Sequence, residues 1–310
     1  MSGGSRGLTT GEQGALVVFE KRRDILDKPV RYYLVKTRKY TILVDAGPWE
    51  YPEEEALKAD YVILTHHHWD HALGVVGLAE RGVPICASEN LRELVDPSSL
   101  EKRMATVLEA LGVRPIGEIG RATTWFKEAY TLIWRALEKA EIYSIEDCPP
   151  VLEGISSIIE CPGHSPDHSC IIIGSSIFIG DNIVAGDSVL VTDLDSYLKT
   201  LTKILSDPTW SRAYPSHGSY GLKRAELASE INSTIKRKMQ RLNSIIANLI
   251  HNEWIGFDSL LESVYGKMDI IGKYIAARSL IGYIVFLERT GLIEINKHDS
   301  PWRLRLRSRG

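Results

Sequence analysis

Cysteine is scarce in this chain and never spaced to hold a metal. The four present among 310 residues, Cys86, Cys148, Cys161 and Cys170, form no C-x-x-C or other zinc-finger pattern, which excludes a thiolate-built metal site. Cys86, Cys161 and Cys170 lie in apolar, strand-like stretches, so reduced core thiols in a cytoplasmic protein are expected rather than disulfides. No apolar run approaches the ~20 residues that cross a bilayer, so a membrane is not expected among the partners. The opening residues, Met1 to Gly7, contain no apolar stretch; nothing there reads as a secretion signal, and a disordered leader is expected. Internal repeats and low-complexity tracts are missing too, which leaves a globular reading.

What is present is ordinary in bulk, 44% hydrophobic and 25% charged, enough for a sizeable core in one large domain or two. The net charge of −3 hides an asymmetry. Residues 222–310 hold 15 Lys and Arg against 9 Asp and Glu, while the first 221 hold 22 against 31. A basic tail on an acidic body argues for a division into two domains.

The densest chemical signal is Thr65-His66-His67-His68-Trp69-Asp70-His71. Residues 61–64 before it read as a buried strand, and residues 73–79 after it as the start of a helix. In an extended segment alternate side chains share a face, so His66, His68 and Asp70 are expected to point together, with His71 reaching in as the helix begins. His67 is the outward neighbour. Imidazole nitrogen with one carboxylate suits zinc and similar borderline metals.

Further candidates each follow an apolar strand and precede a turn: His164 in Cys161-Pro-Gly-His164, Asp181 after Ile177-Phe-Ile-Gly180, and His217 in Ala213-Tyr-Pro-Ser-His217. Gly180 permits close backbone approach beside Asp181. His168 is expected to support the site rather than bind metal, and His251 and His298 read as ordinary surface residues.

Residues 15–19, 31–35 and 40–44 read as successive strands, and residues 156–160, 170–173 and 177–179 as a second block whose Gly174-Ser-Ser176 marks a hairpin. Two blocks, each followed by helix, fit two sheets with helices outside them. Residues 100–142 carry helical periodicity, with Trp125, Phe126, Tyr130 and Trp134 on one stripe. The stripe fits a packed helix; the sharper reading is a cap over the metal site. From about residue 225 the pattern is helical: residues 231–250, 257–265 and 273–290, the last closed by Gly291. A hairpin through residues 292–307 follows, and three helices with a hairpin is the layout of a winged helix-turn-helix.

Taken together, His66, His68, Asp70, His71, His164, Asp181 and His217 resemble the metallo-β-lactamase superfamily, in which His-x-His-x-Asp-His is followed by a later His, a bridging Asp and a last His. The match covers residues 15–218. Asp45 in Leu43-Val-Asp-Ala-Gly47 resembles the early Asp-x-Gly signature, whose carboxylate orients the histidines. The resemblance implies an α+β fold: a four-layer αββα metallo-β-lactamase sandwich over residues 8–221, with a helical insertion at about 98–142, and a C-terminal winged-helix-like domain over 225–310. Seven ligands including Asp70 and Asp181 are similar to the glyoxalase II and nuclease branches. The stretches 162–168, 180–184, 193–198 and 214–218 occur in the order seen in the branch of β-lactamase-like protein 2, a mitochondrial single-strand endoribonuclease, which also carries a winged-helix-like end.

By this resemblance His66, His68 and His164 hold one metal, Asp70, His71 and His217 the other, and Asp181 bridges. Two Zn2+ ions are implied, with iron or manganese as alternatives, and Asp70 is the catalytic residue that orients the attacking water. The implied activity is hydrolysis of phosphodiester bonds in single-stranded RNA, which the basic Arg303, Arg305, Arg307, Arg309, Lys236, Arg237 and Lys238 would favour. The competing reading is thioester hydrolysis of the hydroxyacylglutathione type. A DNA-binding regulator carrying a metal site ranks below both. No flavodoxin-like glycine-rich segment follows, which argues against a di-iron oxidoreductase. Implied partners are a small-molecule ester or thioester or a single-stranded nucleic acid, with a homodimer left open.

Overall fold

Alternation along the strands decides the architecture, because successive side chains meet different layers. The computed structural model describes residues 7–11, 14–22, 29–184, 189–251 and 253–307. One sheet runs in chain order from β1 (Gly7–Gly11), β2 (Gly14–Lys21), β3 (Val30–Lys36) and β4 (Thr41–Val44) to β5 (Tyr61–Ile63), β6 (Ile85–Ala87) and β7 (Ile142–Ser144). Its first four strands are antiparallel and its last four parallel. The second sheet has β8 (Ser156–Glu160), β9 (Ser169–Ile173), β10 (Ser176–Val184), β11 (Arg212–His217) and β12 (Leu222–Lys223), ordered β12-β11-β10-β9-β8.

Both faces of both sheets are buried. Leu16, Val18, Tyr33, Val35, Ile42 and Val44 from the first sheet meet Ile171, Ile173, Phe178 and Tyr214 from the second in one apolar cluster. Their sequence neighbours Val17, Phe19, Tyr32, Leu34, Leu43, Ile172, Ile177 and Ile179 join the larger cluster that holds the helices. Sheets face to face with helices outside give the α/β sandwich, and each fully buried aliphatic side chain contributes ~1.5–3 kcal/mol to it.

The helices of the first part are α1 (Trp69–Ala72), α2 (Val75–Glu80), α3 (Leu91–Val95), α4 (Pro97–Leu111), α5 (Gly117–Lys139), α6 (Pro149–Leu152) and α7 (Leu194–Ser206). Asp96 caps α4 by accepting from the Ser99 amide, with Pro97 at its first position, which explains where the insertion starts. The C-terminal part has α8 (Arg224–Ile250), β13 (Ile255–Gly256), α9 (Phe257–Tyr265), α10 (Ile270–Arg289), β14 (Ile293–Asn296) and β15 (Arg303–Leu306), the strands forming a sheet ordered β13-β15-β14. Gly291 follows α10 at φ +74, the left-handed stop its position calls for. α10 packs against α4, α5 and α7, so the two parts share one apolar cluster.

The structure corrects several expectations. Cys86 pairs with Cys148 and Cys161 with Cys170 as disulfides; strand and turn geometry brings partners together that local sequence reads as isolated apolar positions. Of the expected disordered leader, Met1 to Arg6 lie outside the described residues, and Gly7 already begins β1. Asp70 sits on α1 instead of continuing an extended run. α10 is, among the described residues, one helix long and apolar enough by length and composition to cross a membrane, and half of it is buried inside the fold. Lys238, expected on a basic surface, is buried and donates to the Val189 carbonyl; burial and the neighbouring Arg241 and Arg237 charges draw its ammonium down to about 7. Arg309 lies outside the described residues.

Candidate metal centre

The loops leaving β4 and β5 run together, joined by Asp45 N–H to the Ile63 carbonyl at 3.0 Å and Ala46 N–H to the His71 carbonyl at 2.7 Å. His66 and His68 lie in the second of these loops, with His68 at the N-cap of α1, and Asp70 and His71 follow on the helix. The other sheet contributes His164 from the turn between β8 and β9, Asp181 from within β10 and His217 at the end of β11. β10 bulges against β11 between Phe178 and Val184, and the bulge re-aims Asp181. Gly180, at φ +50, is needed there: a Cβ would lie 2.6 Å from His168 Nε2 and 2.8 Å from Thr65 Oγ1.

All seven expected ligands come together, and they fall into two groups. His66 Nε2 and His164 Nε2 approach His68 Nδ1 to 3.0 and 2.9 Å. His71 Nε2 and His217 Nε2 each lie 3.3 Å from Asp181 Oδ1, and 3.7 and 3.6 Å from Asp70 Oδ2. Asp181 belongs to both groups, since its Oδ2 is 3.7 Å from His164 Nε2. Among the described residues, His71 Nε2 and Asp181 Oδ1 are buried with no hydrogen-bond partner. Ligating atoms left converging and unpaired in a buried cluster fit cations, so the residues present suit two metal ions with Asp181 between them.

Outer contacts fix the rings. Asp45 accepts from the Thr65 amide and hydroxyl through Oδ1 at 2.8 and 2.9 Å, and its Oδ2 holds His71 Nδ1 at 2.8 Å. His164 Nδ1 and His217 Nδ1 donate to the carbonyls of Leu190 and Pro29, each at 2.9 Å. These bonds turn Nε2 of each ring towards the cluster. His168 accepts the Asp181 amide at 3.2 Å and lies 3.0 Å from the Asn182 amide group, supporting β10 rather than joining either group. His67 is tied to Asp167 at 2.8 Å.

Electrostatics divide the histidines. Burial, with the other rings adding to it, holds His66 and His68 well below the ordinary histidine range. His164 is drawn down to about 4, again chiefly by burial, so these rings are neutral and able to ligate. Burial also opposes charge on His71, but Asp181, Asp70 and Asp45 outweigh it and hold that ring well above its usual value. Asp181 is pushed down despite burial by His217, His71 and His164.

The cluster floors a cavity of about 1180 Å³. Its walls are mostly apolar: Trp125 and Phe126 from α5, Met104 from α4, and Ile271, Ile275 and Ile281 from α10. The indoles of Trp69 and Trp125 meet edge to face at 4.5 Å. The α5 stripe therefore packs and lines the cavity at once. Sequence reasoning missed Arg103 and Arg278, which also line it; nothing local to α4 or α10 says which side faces the cluster. Asp167 stood in the same turn motif as His164, a signal that was there to read.

Residues 26–233 match the family described as the metallo-beta-lactamase superfamily. Lactamase-like protein adaB of Aspergillus niger is 25% identical over 228 residues, 70% of this chain and 57% of that protein, so the chain spans less than two thirds of the curated relative's length. Among solved structures, a metallo-beta-lactamase family protein of Thermus thermophilus superposes at a TM-score of 0.70 with 16% identity, over 94% of this chain and 98% of that one. A beta-lactamase domain protein of Burkholderia ambifaria gives 0.70 with 14% identity, over 94% and 91%. At these identities the likeness shows the fold alone, and it extends through the C-terminal part.

Proposed function

The chain belongs to the metallo-beta-lactamase superfamily, and from that premise we propose a dinuclear metal-dependent hydrolase that cleaves the ester or thioester bond of a compound with a large apolar body. His66, His68 and His164 would hold one ion and Asp70, His71 and His217 the other, with Asp181 shared between them. The nitrogen-rich donor set suits zinc, and iron or manganese are accommodated by the same ligands. When bound, such a pair lowers the pKa of water towards ~7 and polarises the attacked carbonyl. Asp70 turns Oδ2 to His71 and His217, and we assign Oδ1 to orient the attacking water and hold its proton.

The observation that carries this reading is the apolar cavity directly over the cluster. Its mostly apolar walls suit an extended acyl or aromatic group carrying at most one charged end better than the polar chain of a glutathione thioester or a ribose-phosphate backbone. A phosphodiester of single-stranded nucleic acid is the second reading, favoured by the exposed Arg303, Arg307 and Lys236. None of these lines the cavity, and Arg305 is held by Glu294 at 2.7 Å. The C-terminal part has the element order of a winged helix, but its third helix, α10, forms a cavity wall, a placement that favours a packing role over entry into a DNA groove.

Loading with zinc and assaying 4-nitrophenyl and acyl-thioester series, S-lactoylglutathione and labelled single-stranded RNA tests the proposal. The expected result is about two metal ions per chain and ester or thioester turnover that rises with acyl length. RNA cleavage with no ester or thioester turnover overturns it.

A further inference from the structure

Arg278, midway along α10, places Nη2 3.2 Å from Nε2 of His68. Nδ1 of that same ring faces the cluster, 3.0 Å from His66 Nε2 and 2.9 Å from His164 Nε2. An imidazole whose Nδ1 lone pair serves a cation carries its proton on Nε2, and a ring N–H cannot accept from a guanidinium. In the metal-loaded protein, therefore, Arg278 faces the cavity without that acceptor.

Arg103 lines the cavity from the neighbouring helix α4. It donates through one nitrogen to the Leu94 carbonyl, one contact for a group with five donors. Burial works against its charge, and so does the nearby Arg278; Tyr130, Tyr274 and the Asp167 carboxylate offset this only in part. Among the described residues neither guanidinium has a carboxylate in ion-pair range. Among the described residues, the acids that line the cavity are Asp70 and Asp181, which belong to the cluster, and Glu118, which is exposed. Two like charges in a mostly apolar enclosure favour the binding of a group that brings the opposite charge.

We propose that Arg103 and Arg278 form a receiving site for an anionic group, a carboxylate or phosphate, carried on the apolar body of the substrate; this rests on the hydrolase reading above. The contact between Arg278 and His68 puts that site within one side chain of the cluster. The anion and the bond to be cleaved are thus held a short span apart, and a guanidinium fork suits either oxyanion bidentately.

The test compares three substrates of equal length: the 4-nitrophenyl monoester of octanedioic acid, its ω-carboxamide, and the analogue ending in phosphate. The readout is the ratio of kcat/KM for each anionic substrate to that for the carboxamide, in the zinc-loaded parent, R103Q, R278Q and R278K. A parent ratio of tenfold or more, falling about tenfold to a hundredfold in R278Q and partly regained in R278K, supports the proposal. The carboxylate and phosphate arms say which oxyanion is preferred. Ratios unchanged in both glutamine variants overturn it, as does loss of zinc from R278Q, which would make the residue a prop for His68. If no ester is turned over at all, the hydrolase reading fails on its own. Calorimetric titration with octanedioate then decides the anion site: weaker binding to R278Q than to the parent supports it, and equal binding overturns it.

Discussion

At Asp45 the backbone takes φ +60, the one left-handed position held by a residue other than glycine among those described. That conformation costs roughly 1–2 kcal/mol for an L-residue, though Asp visits it more readily than most. The strain is offset where the carboxylate gathers the Thr65 amide, the Thr65 hydroxyl and His71 Nδ1. Asp45→Asn keeps the shape and the tolerance for this backbone but offers His71 an NH2 group in place of an acceptor oxygen, or disturbs Thr65 if the amide turns over. The expected result is a folded protein whose affinity for the second metal ion falls about tenfold to a hundredfold. Zinc stoichiometry measured across a chelator titration checks this, and a curve that overlays the parent's would refute the role given to Asp45.

Elements rather than residues decide how the two halves of the cluster meet, and β10 is the clearest case. Its bulge at Gly180 lets His168 and Thr65 press on the backbone beside Asp181. Gly180→Ala sets a methyl group into that contact at φ +50 and should destabilise the fold by ~1–3 kcal/mol from overpacking alone. A denaturant midpoint equal to the parent's would show the contact relaxes freely. The same scale separates what was legible in the sequence from what was not. The unbroken apolar runs Leu16 to Phe19 and Tyr32 to Val35 were readable as strands, because both faces of a strand find apolar layers here. The turn after each strand was readable too, so His164, Asp181 and His217 were found before any fold was known. The cysteine pairs were not: Cys86 and Cys148 stand 62 positions apart, and only the packing of β6 against the approach to α6 brings their Cα atoms to 5.6 Å. Nor was the facing of α4 and α10, since an amphipathic or apolar helix announces that it is buried without saying against what. Arg103 and Arg278 were lost for that reason, and the buried Lys238 on α8 likewise.

For the molecule as a whole, the division at about residue 222 that charge suggests is crossed by shared packing. Arg224 donates to the carbonyls of Leu205 and Trp210 at 2.8 and 2.9 Å. The Trp302 amide reaches the Ala110 carbonyl at 3.2 Å, and Arg289 pairs with Asp193 at 2.8 Å. Gly282 on α10 lies so close to the first part that a Cβ there would sit 2.4 Å from the Val191 carbonyl oxygen. Leu227, Ile245, Leu280 and Leu304 belong to the same apolar cluster as Leu100, Ile133 and Leu201. Losing α10 would expose that cluster and remove one wall of the cavity, so neither part keeps its packing without the other. Thermal unfolding should therefore be a single cooperative event, with far-UV circular dichroism and tryptophan fluorescence coinciding and the calorimetric enthalpy equal to the van't Hoff value. Two resolved transitions, with the sandwich outlasting the C-terminal helices, would instead mean that α10 rests on the cavity as a separable unit.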